Sequence, residues 1–294
     1  MTAGTVRLQE AGLSDDRSAF GHYALSPGRE RLRRFAQELG HGGLARRACS
    51  VIRRIVGFGL AGPFDIEPFP GQRARLYPDQ NLSDKRVFAG VQFWDQVERA
   101  ALGKAVRDAD EPVYMVDAGA NAGLYTLAVR AEARGKALKV LAVEPDPENL
   151  KRLKFNIAAS QAEADVVIAE VALGEAEGKA HITASHANRG ELTIDEAGTP
   201  VAVRPLTAVL DWAGFPRIDA LKIDIEGFEL PVLRHFLANT PEACWPGIVI
   251  MEAHRGARTE ALDLLLAHGY HVDAQTRMNA VMRRTGGTTS REHA

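Results

Sequence analysis

From Val113 onward, short apolar runs alternate with amphipathic stretches, and this pattern most narrows what the chain can fold into. Such an alternation is expected of a parallel sheet whose strands are covered by helices on both faces. The first run, VYMVDAGANAGLYTLAVR (113–130), carries an apolar strand into Asp117. Gly119 and Gly123 then frame Asn121 ahead of a helix led by Leu124, Leu127 and Ala128. Glycines at such a turn let the backbone bend sharply and approach a ligand, and the helix that follows offers free N–H groups. The second run, LKVLAVEPDPENLKRLKFNI (138–157), ends its apolar part at Glu144. An acid at that place accepts hydrogen bonds from the two hydroxyls of a ribose. Pro145 closes the strand and Asp146 is placed to cap the next helix. Glycine loop and acid together point to an adenosine-containing ligand.

The loop's composition separates two such ligands. A pyrophosphate loop reads GxGxxG, whereas this one reads DxGxNxG. Asp117 would repel a diphosphate and suits the cationic methionine portion of S-adenosylmethionine, directly or through water. A nicotinamide cofactor is the alternative.

Five segments occur in an order that resembles the FkbM family of S-adenosylmethionine-dependent methyltransferases: VDAGANAGLYT, LAVEPDPENLKRLKFNI, VALGEAEG (171–178), PLTAVLDWAG (205–214) and ALKIDIEGFELPVL (220–233). The most specific of them is KIDIEGFE. The resemblance covers roughly residues 111–255 and implies a Rossmann-like class I methyltransferase fold, an α/β architecture with a mostly parallel seven-stranded sheet and helices on both faces. It further implies methyl transfer to a hydroxyl of a sugar, glycan, glycolipid, polyketide or related metabolite. The organisation expected is a mobile leader (1–28), a basic helical and hairpin extension (29–110), the methyltransferase domain (111–284) and a mobile tail (285–294).

Within LKIDIEG, strand alternation places Lys222, Asp224 and Glu226 on one face and Leu221, Ile223 and Ile225 on the other. Gly227 is expected to open a helix containing Leu230, Leu233 and Phe236. The next strand, GIVIMEAHRG (247–256), brings Glu252 and His254 to a comparable position. Four polar groups, Asp224, Glu226, Glu252 and His254, are thus the catalytic candidates. An alcohol is a poor nucleophile until its proton is removed, and a positioned carboxylate or histidine can take it. His254 or Glu226 is the expected base, with Asp224 holding the cofactor beside Asp117, Gly119, Asn121, Gly123, Glu144 and Asp146. Alternatively, Asp224, Glu252 and His254 could ligate Mg2+ or Mn2+, which would acidify and orient the alcohol. The polar stretch 181–206 reads as a hairpin or flap at the substrate mouth, where His186, Asn188 and Arg189 are either substrate contacts or exposed loop residues.

The N-terminal part has a different character. Between Arg29 and Leu60 eight arginines face two glutamates, although the whole chain has a net charge of only -2. Leu32, Phe35, Ala36 and Leu39 fall at helical spacing, as do Leu44, Ala48, Val51, Ile52 and Ile55. Two basic amphipathic helices are therefore expected over 29–60. Two readings fit them: a solvated arginine face on helices packed against the core, or contact with an anionic lipid or glycan. FDIEPFPGQRARLYP (64–78) reads as a hairpin around Pro70-Gly71, and a helix is expected over 92–106. The first 30 residues lack the uninterrupted apolar stretch of a secretory signal, and no later segment is apolar enough to span a membrane. Two distant cysteines, Cys49 and Cys244, form no metal-binding cluster. A cytoplasmic enzyme, peripheral on the inner membrane face if the arginines meet lipid, is the expected setting. Nucleic acid is a disfavoured partner, because stacking aromatics are scarce and the acceptor site is acidic. The rivals are a nicotinamide-dependent oxidoreductase, which lacks a recognisable Tyr/Lys hydride-transfer pair here, and a non-catalytic cofactor-binding protein held at a membrane by residues 29–60.

Overall fold

The computed structural model describes residues 14–60, 62–184, 192–194, 198–253 and 258–285. Among the described residues two helices come first, α1 (Pro27–Glu38) and α2 (Gly43–Gly57), separated by the Gly40–Gly43 break that the sequence marks. β1 (Phe64–Phe69) and β2 (Gln72–Leu76) form the expected antiparallel hairpin. A short helix, α3 (Leu82–Phe88), follows, capped by Asn81, whose Oδ1 accepts from the Ser83 and Asp84 amides. A single 3-10 turn (Val91–Phe93) leads to α4 (Gln96–Asp108). The sequence predicts neither α3 nor this break. Its helix over 92–106 begins later, because Asp95 takes a left-handed backbone (φ 40°) before Gln96.

The central sheet starts with β3 (Val113–Ala118), followed by α5 (Leu124–Ala133), β4 (Leu138–Val143), α6 (Pro147–Ala159) and β5 (Val166–Ala169). A smaller sheet intervenes: β6 (Ala172–Gly174), β7 (Gly178–Ala184), β8 (Leu192–Ile194) and β9 (Thr199–Pro205), in the order β6-β9-β7-β8. β7 and β8 make the antiparallel hairpin expected within 181–206. His186, Asn188 and Arg189 lie outside the described residues. The chain then returns to the main sheet through α7 (Leu206–Ala213), β10 (Ala220–Ile223), α8 (Glu229–Asn239), β11 (Ile248–Glu252), α9 (Glu260–Ala267), β12 (Tyr270–Gln275) and β13 (Asn279–Arg284).

The seven-stranded order is β12-β13-β11-β10-β3-β4-β5. The pairs among β5, β4, β3, β10 and β11 are parallel, and β13 alone runs reversed between β11 and β12. This is the mostly parallel, helix-covered α/β sheet that the alternating pattern predicts. Its strands are apolar because both faces are covered: Val113, Met115, Val140, Ala142 and Ile250 join one buried cluster, and Val116, Leu141, Leu221, Ile223 and Val249 the other.

The N-terminal extension shares the first of these clusters. Ala36, Cys49, Ile52, Val56, Phe64, Leu76, Phe88 and Trp94 pack with β3, β4, α5 and α6 residues in one continuous core. Hydrogen bonds fasten the hairpin to α6: the Asn156 Oδ1 accepts from the Arg75 amide at 2.7 Å, and Ser160 Oγ accepts from the Arg73 amide at 2.8 Å. Residues 14–26, expected to belong to a mobile leader, are instead held down. The buried Arg75 guanidinium pairs with Asp65 (2.7 Å) and donates to the carbonyls of Asp15, Ser18 and Ala19. Ser14 accepts from Arg152 at 2.7 Å. Composition alone misled here, because it is the backbone carbonyls of this segment, which composition does not reveal, that serve the buried Arg75. Residues 1–13 and the tail beyond Thr285 lie outside the described residues.

Candidate active site

In an open α/β sheet, ligands bind beyond the carboxyl ends of the strands where the strand order reverses. Here that place lies between β3, which the chain leaves for β4, and β10, reached later on β3's other side. A cavity of about 390 Å³ opens there.

The loop after β3 forms one wall. Gly119 has φ +75°, and a Cβ on it would stand 1.9 Å from the backbone oxygen of Asp224. Gly123 has φ +82°, and a Cβ there would meet Leu153 Cδ1 at 2.6 Å. These glycines thus let two neighbouring elements close on the loop. Asn121 also takes a left-handed backbone (φ 51°), which turns its amide toward Glu144 and its Oδ1 toward the Asn81 side-chain amide (3.0 Å).

Glu144, at the end of β4, lines the cavity and is 2% exposed. It accepts from the Asn121 amide at 2.7 Å and the Asp146 amide at 2.9 Å. Burial outweighs these bonds and pushes its carboxyl up to about 7. A third, longer bond comes from the Asn149 side-chain amide at 3.5 Å, which leaves the carboxylate about one accepting site for a ligand's hydroxyl donor.

β10 and the turn after it supply Lys222, Asp224, Ile225, Glu226 and Phe228 to the opposite wall. Strand alternation holds through Lys222 and stops at Ile223, because Glu226 and Gly227 both have positive φ. The helix begins at Glu229 rather than directly at Gly227. Glu229 is buried and accepts from the Ile225 amide at 2.9 Å, which secures the turn. Lys222 Nζ donates to the Gly119 carbonyl at 2.7 Å and lies 3.8 Å from both Asp117 and Asp224.

The extension closes the third side with Asn81, Ser83, Asp84, Trp94 and Asp95. Tyr125 joins them and donates its hydroxyl to Asp95 at 2.9 Å. Burial raises the Asp95 carboxyl, and burial pushes the fully enclosed Asp84 up to about 6. Leu173, Ile182 and Ala172 give the remaining wall an apolar character. Five carboxyl side chains line the cavity against one cation, Lys222.

The candidates from sequence divide accordingly. Gly119, Asn121, Glu144, Asp224 and Glu226 line the cavity together. Asp117 and Asp146 stand behind the wall. Asp117 is fully buried and accepts from the Thr126 hydroxyl (2.7 Å) and amide. Asp146 caps α6, accepting from the Glu148 and Asn149 amides. Gly123 serves the packing of the loop. Glu252 ends β11 but is not among the cavity-lining residues, and His254 lies outside the described residues. Among the described residues, no cluster of three or more His, Cys, Asp and Glu side chains is arranged to hold a metal ion. Asn81, Ser83, Asp84, Trp94, Asp95 and Tyr125 were not foreseen as site residues. Only the Asn81–Asp84 capping pattern was available to find the first of them.

Residues 117–272, more than half the chain, match the methyltransferase FkbM domain. Among solved structures the fold is similar to methyltransferase FkbM from Methylobacillus flagellatus KT, with 18% identity, a TM-score of 0.42, and coverage of 68% of this chain and 54% of that one. The chain thus spans about half the length of that relative. It is also similar to precorrin-6y C5,15-methyltransferase from Geobacter metallireducens GS-15, with 15% identity, a TM-score of 0.40, and coverage of 64% and 86%. No curated protein matches the chain in sequence.

Proposed function

The chain belongs to the FkbM methyltransferase family, and on that premise we propose that it moves a methyl group from S-adenosylmethionine to a hydroxyl of a sugar, glycan, glycolipid or related metabolite. The observation that carries this reading is the pairing, across one cavity, of the buried Glu144 with the acidic turn of Asp224 and Glu226. Glu144 would accept hydrogen bonds from the ribose hydroxyls, and the apolar side chains of Leu173 and Ile182 would flank the adenine. Asp224 and Asp95 would favour the cationic methionine part, while the Lys222 ammonium, held at the Gly119 carbonyl, keeps the loop and the β10 turn together. When bound, the cofactor supplies an electrophilic methyl group on a sulfonium.

The protein's remaining task is to hold an acceptor oxygen in line and remove its proton. Glu226 lies on the cavity wall in a strained left-handed conformation that aims this turn out of the strand direction. It is the base in this reading, with His254 the second candidate. A metal-assisted form, with Asp224, Glu252 and His254 as ligands, differs in its response to chelation. Turnover abolished by EDTA and restored by Mg2+ or Mn2+ would establish it, and unchanged turnover would remove it.

Calorimetric titration with S-adenosylmethionine, S-adenosylhomocysteine and NADH tests the cofactor assignment. The expected result is binding of the first two, weakened about tenfold or more in Glu144→Ala by loss of charge-assisted hydrogen bonds. Binding of NADH alone would overturn it. Transfer of labelled methyl to hydroxylated acceptors, lost in Glu226→Gln while cofactor binding persists, tests the base.

A further inference from the structure

Helix α2 is apolar on two sides, and the fold uses only one of them. Cys49, Ile52 and Val56 are buried against the core. Cys49 Sγ donates to the Ala36 carbonyl of α1, and Gln92 Nε2 donates to the carbonyls of Ala36 and Leu39, so the inner face is fully engaged. The outer side carries Leu44 at 81% exposure, Val51 at 54%, Ile55 at 53% and, just past the helix, Phe58 at 79%. Their spacing runs 44, 51, 55 and 58, which places them along one stripe of the helix. Phe35 of α1, 53% exposed, adds to the same apolar excess. Isolated surface hydrophobes are common, but a row of large ones is not.

The cations are interleaved with this row. Arg47 and Arg54 are exposed at helical spacing from Val51 and Phe58, and Arg31 and Arg46 are exposed nearby. Among the described residues no carboxylate forms an ion pair with Arg31, Arg46, Arg47 or Arg54. Of the two glutamates in this stretch, Glu30 is taken up by Arg33 and Arg34. An outer stripe of bulky apolar side chains flanked by arginines without ion-pair partners is the composition that partitions into the headgroup region of an anionic bilayer. A nucleic acid would match the charge but not the exposed leucine, valine, isoleucine and phenylalanine. A protein surface would match the apolar row but leave the arginines to find acidic partners one by one.

We propose that α2, assisted by the exposed end of α1, docks this protein on the surface of an anionic lipid bilayer through Leu44, Val51, Ile55 and Phe58, with Arg47 and Arg54 meeting lipid phosphates. No helix among the described residues is long and apolar enough to cross the membrane, so the contact is peripheral. The docking helices rest on the segment that helps build the cavity: Arg46 stacks over Phe93 at 5.1 Å, and Trp94 and Asp95 follow on the cavity wall. The surface stands apart from the residues assigned to cofactor binding, so its failure and theirs can be told apart.

The test is cosedimentation of the full chain with vesicles of phosphatidylcholine alone and of phosphatidylcholine with phosphatidylserine, each at low and high salt. Binding to the anionic vesicles only, weakened by salt, is the expected result. Val51→Ser/Ile55→Ser/Phe58→Ser and Arg47→Glu/Arg54→Glu should each lower that binding about tenfold or more, with thermal melting and S-adenosylmethionine binding unchanged, since all five side chains lie on the outer side. Absence of vesicle binding, or binding that the apolar variant leaves intact, would overturn the proposal. So would a dimer in sedimentation equilibrium that the apolar variant dissociates while vesicles are ignored, or tight RNA binding that competes with vesicles and depends on the arginines alone.

Discussion

At the residue scale, the cavity rests on a few positions whose substitution has a defined result. The carbonyl of Asp224 occupies the space a Gly119 side chain would need, so Gly119→Ala must spread β3 from β10. We expect a loss of at least about 2 kcal/mol in chemical denaturation, together with loss of cofactor binding. Lys222 is the cation nearest the buried Asp117, one of whose oxygens accepts no hydrogen bond. Lys222→Met should therefore destabilise by about 3–5 kcal/mol, and Lys222→Met/Asp117→Asn should recover part of that loss. Glu144 sets a pH dependence whose sign follows from burial. Its folded value near 7 exceeds the ordinary 4.5, so the folded protein holds a proton that the unfolded chain has released. The associated stability, about 3 kcal/mol, is fully present below 4.5 and is lost as pH rises through 7. Denaturation at pH 5 and pH 8 should show that difference, reduced in Glu144→Gln. Cofactor affinity should run the opposite way and rise with pH through 7 if, as proposed, ribose hydroxyls donate to the ionised Glu144.

At the scale of elements, the N-terminal segments act as fasteners. Arg75 on β2 joins Asp65 of β1 to the carbonyls of residues 15–19 and stacks over Phe155 of α6 at 4.0 Å. No neutral side chain replaces all of these contacts at once. Arg75→Met leaves Asp65 buried without its cation, with the Gly21 and Tyr23 amides still donating to it, and should cost about 3–5 kcal/mol, with faster proteolysis of residues 14–26 as the local readout. Asn81 has two tasks, capping α3 and donating to Asn121 on the glycine loop. Asn81→Ala should cost about 1 kcal/mol through the cap and weaken cofactor binding besides, whereas Asn81→Asp should keep the cap and lose only the donor.

At the scale of the molecule, one hydrophobic cluster runs from α1 and α2 through the hairpin to the inner face of β3 and β4. The other cluster covers the opposite face of the sheet beneath α7, α8 and α9. The extension thus shares one buried cluster with α5, α6 and one face of the sheet. A fragment of residues 111–285 should expose the apolar side of β3, β4, α5 and α6, aggregate at micromolar concentration and fail to bind S-adenosylmethionine, because Asp84, Trp94 and Asp95 would be missing from the cavity. A soluble fragment with native affinity would contradict this.

The alternating α/β pattern, the glycine loop, the acid closing β4 and the acidic turn after β10 are legible in the chain itself, because each is a local arrangement in which neighbouring residues meet one another's needs. Asp146 before Pro147, and Gly119 and Gly123 after an apolar strand, can be read without knowing what lies across the fold. Long-range packing is what turns Asp117 toward Thr126 instead of the cavity, ties residues 14–26 to Arg75 and brings Trp94, Asp95 and Tyr125 to the cavity wall. It alone decided, too, that Leu44, Val51 and Ile55, apolar at helical spacing like the buried Ile52, point outward. Periodicity identifies an apolar side of a helix but not whether the fold has a surface to cover it. Hydrogen bonds between residues far apart in sequence, such as Arg152 to Ser14, leave no local pattern to read.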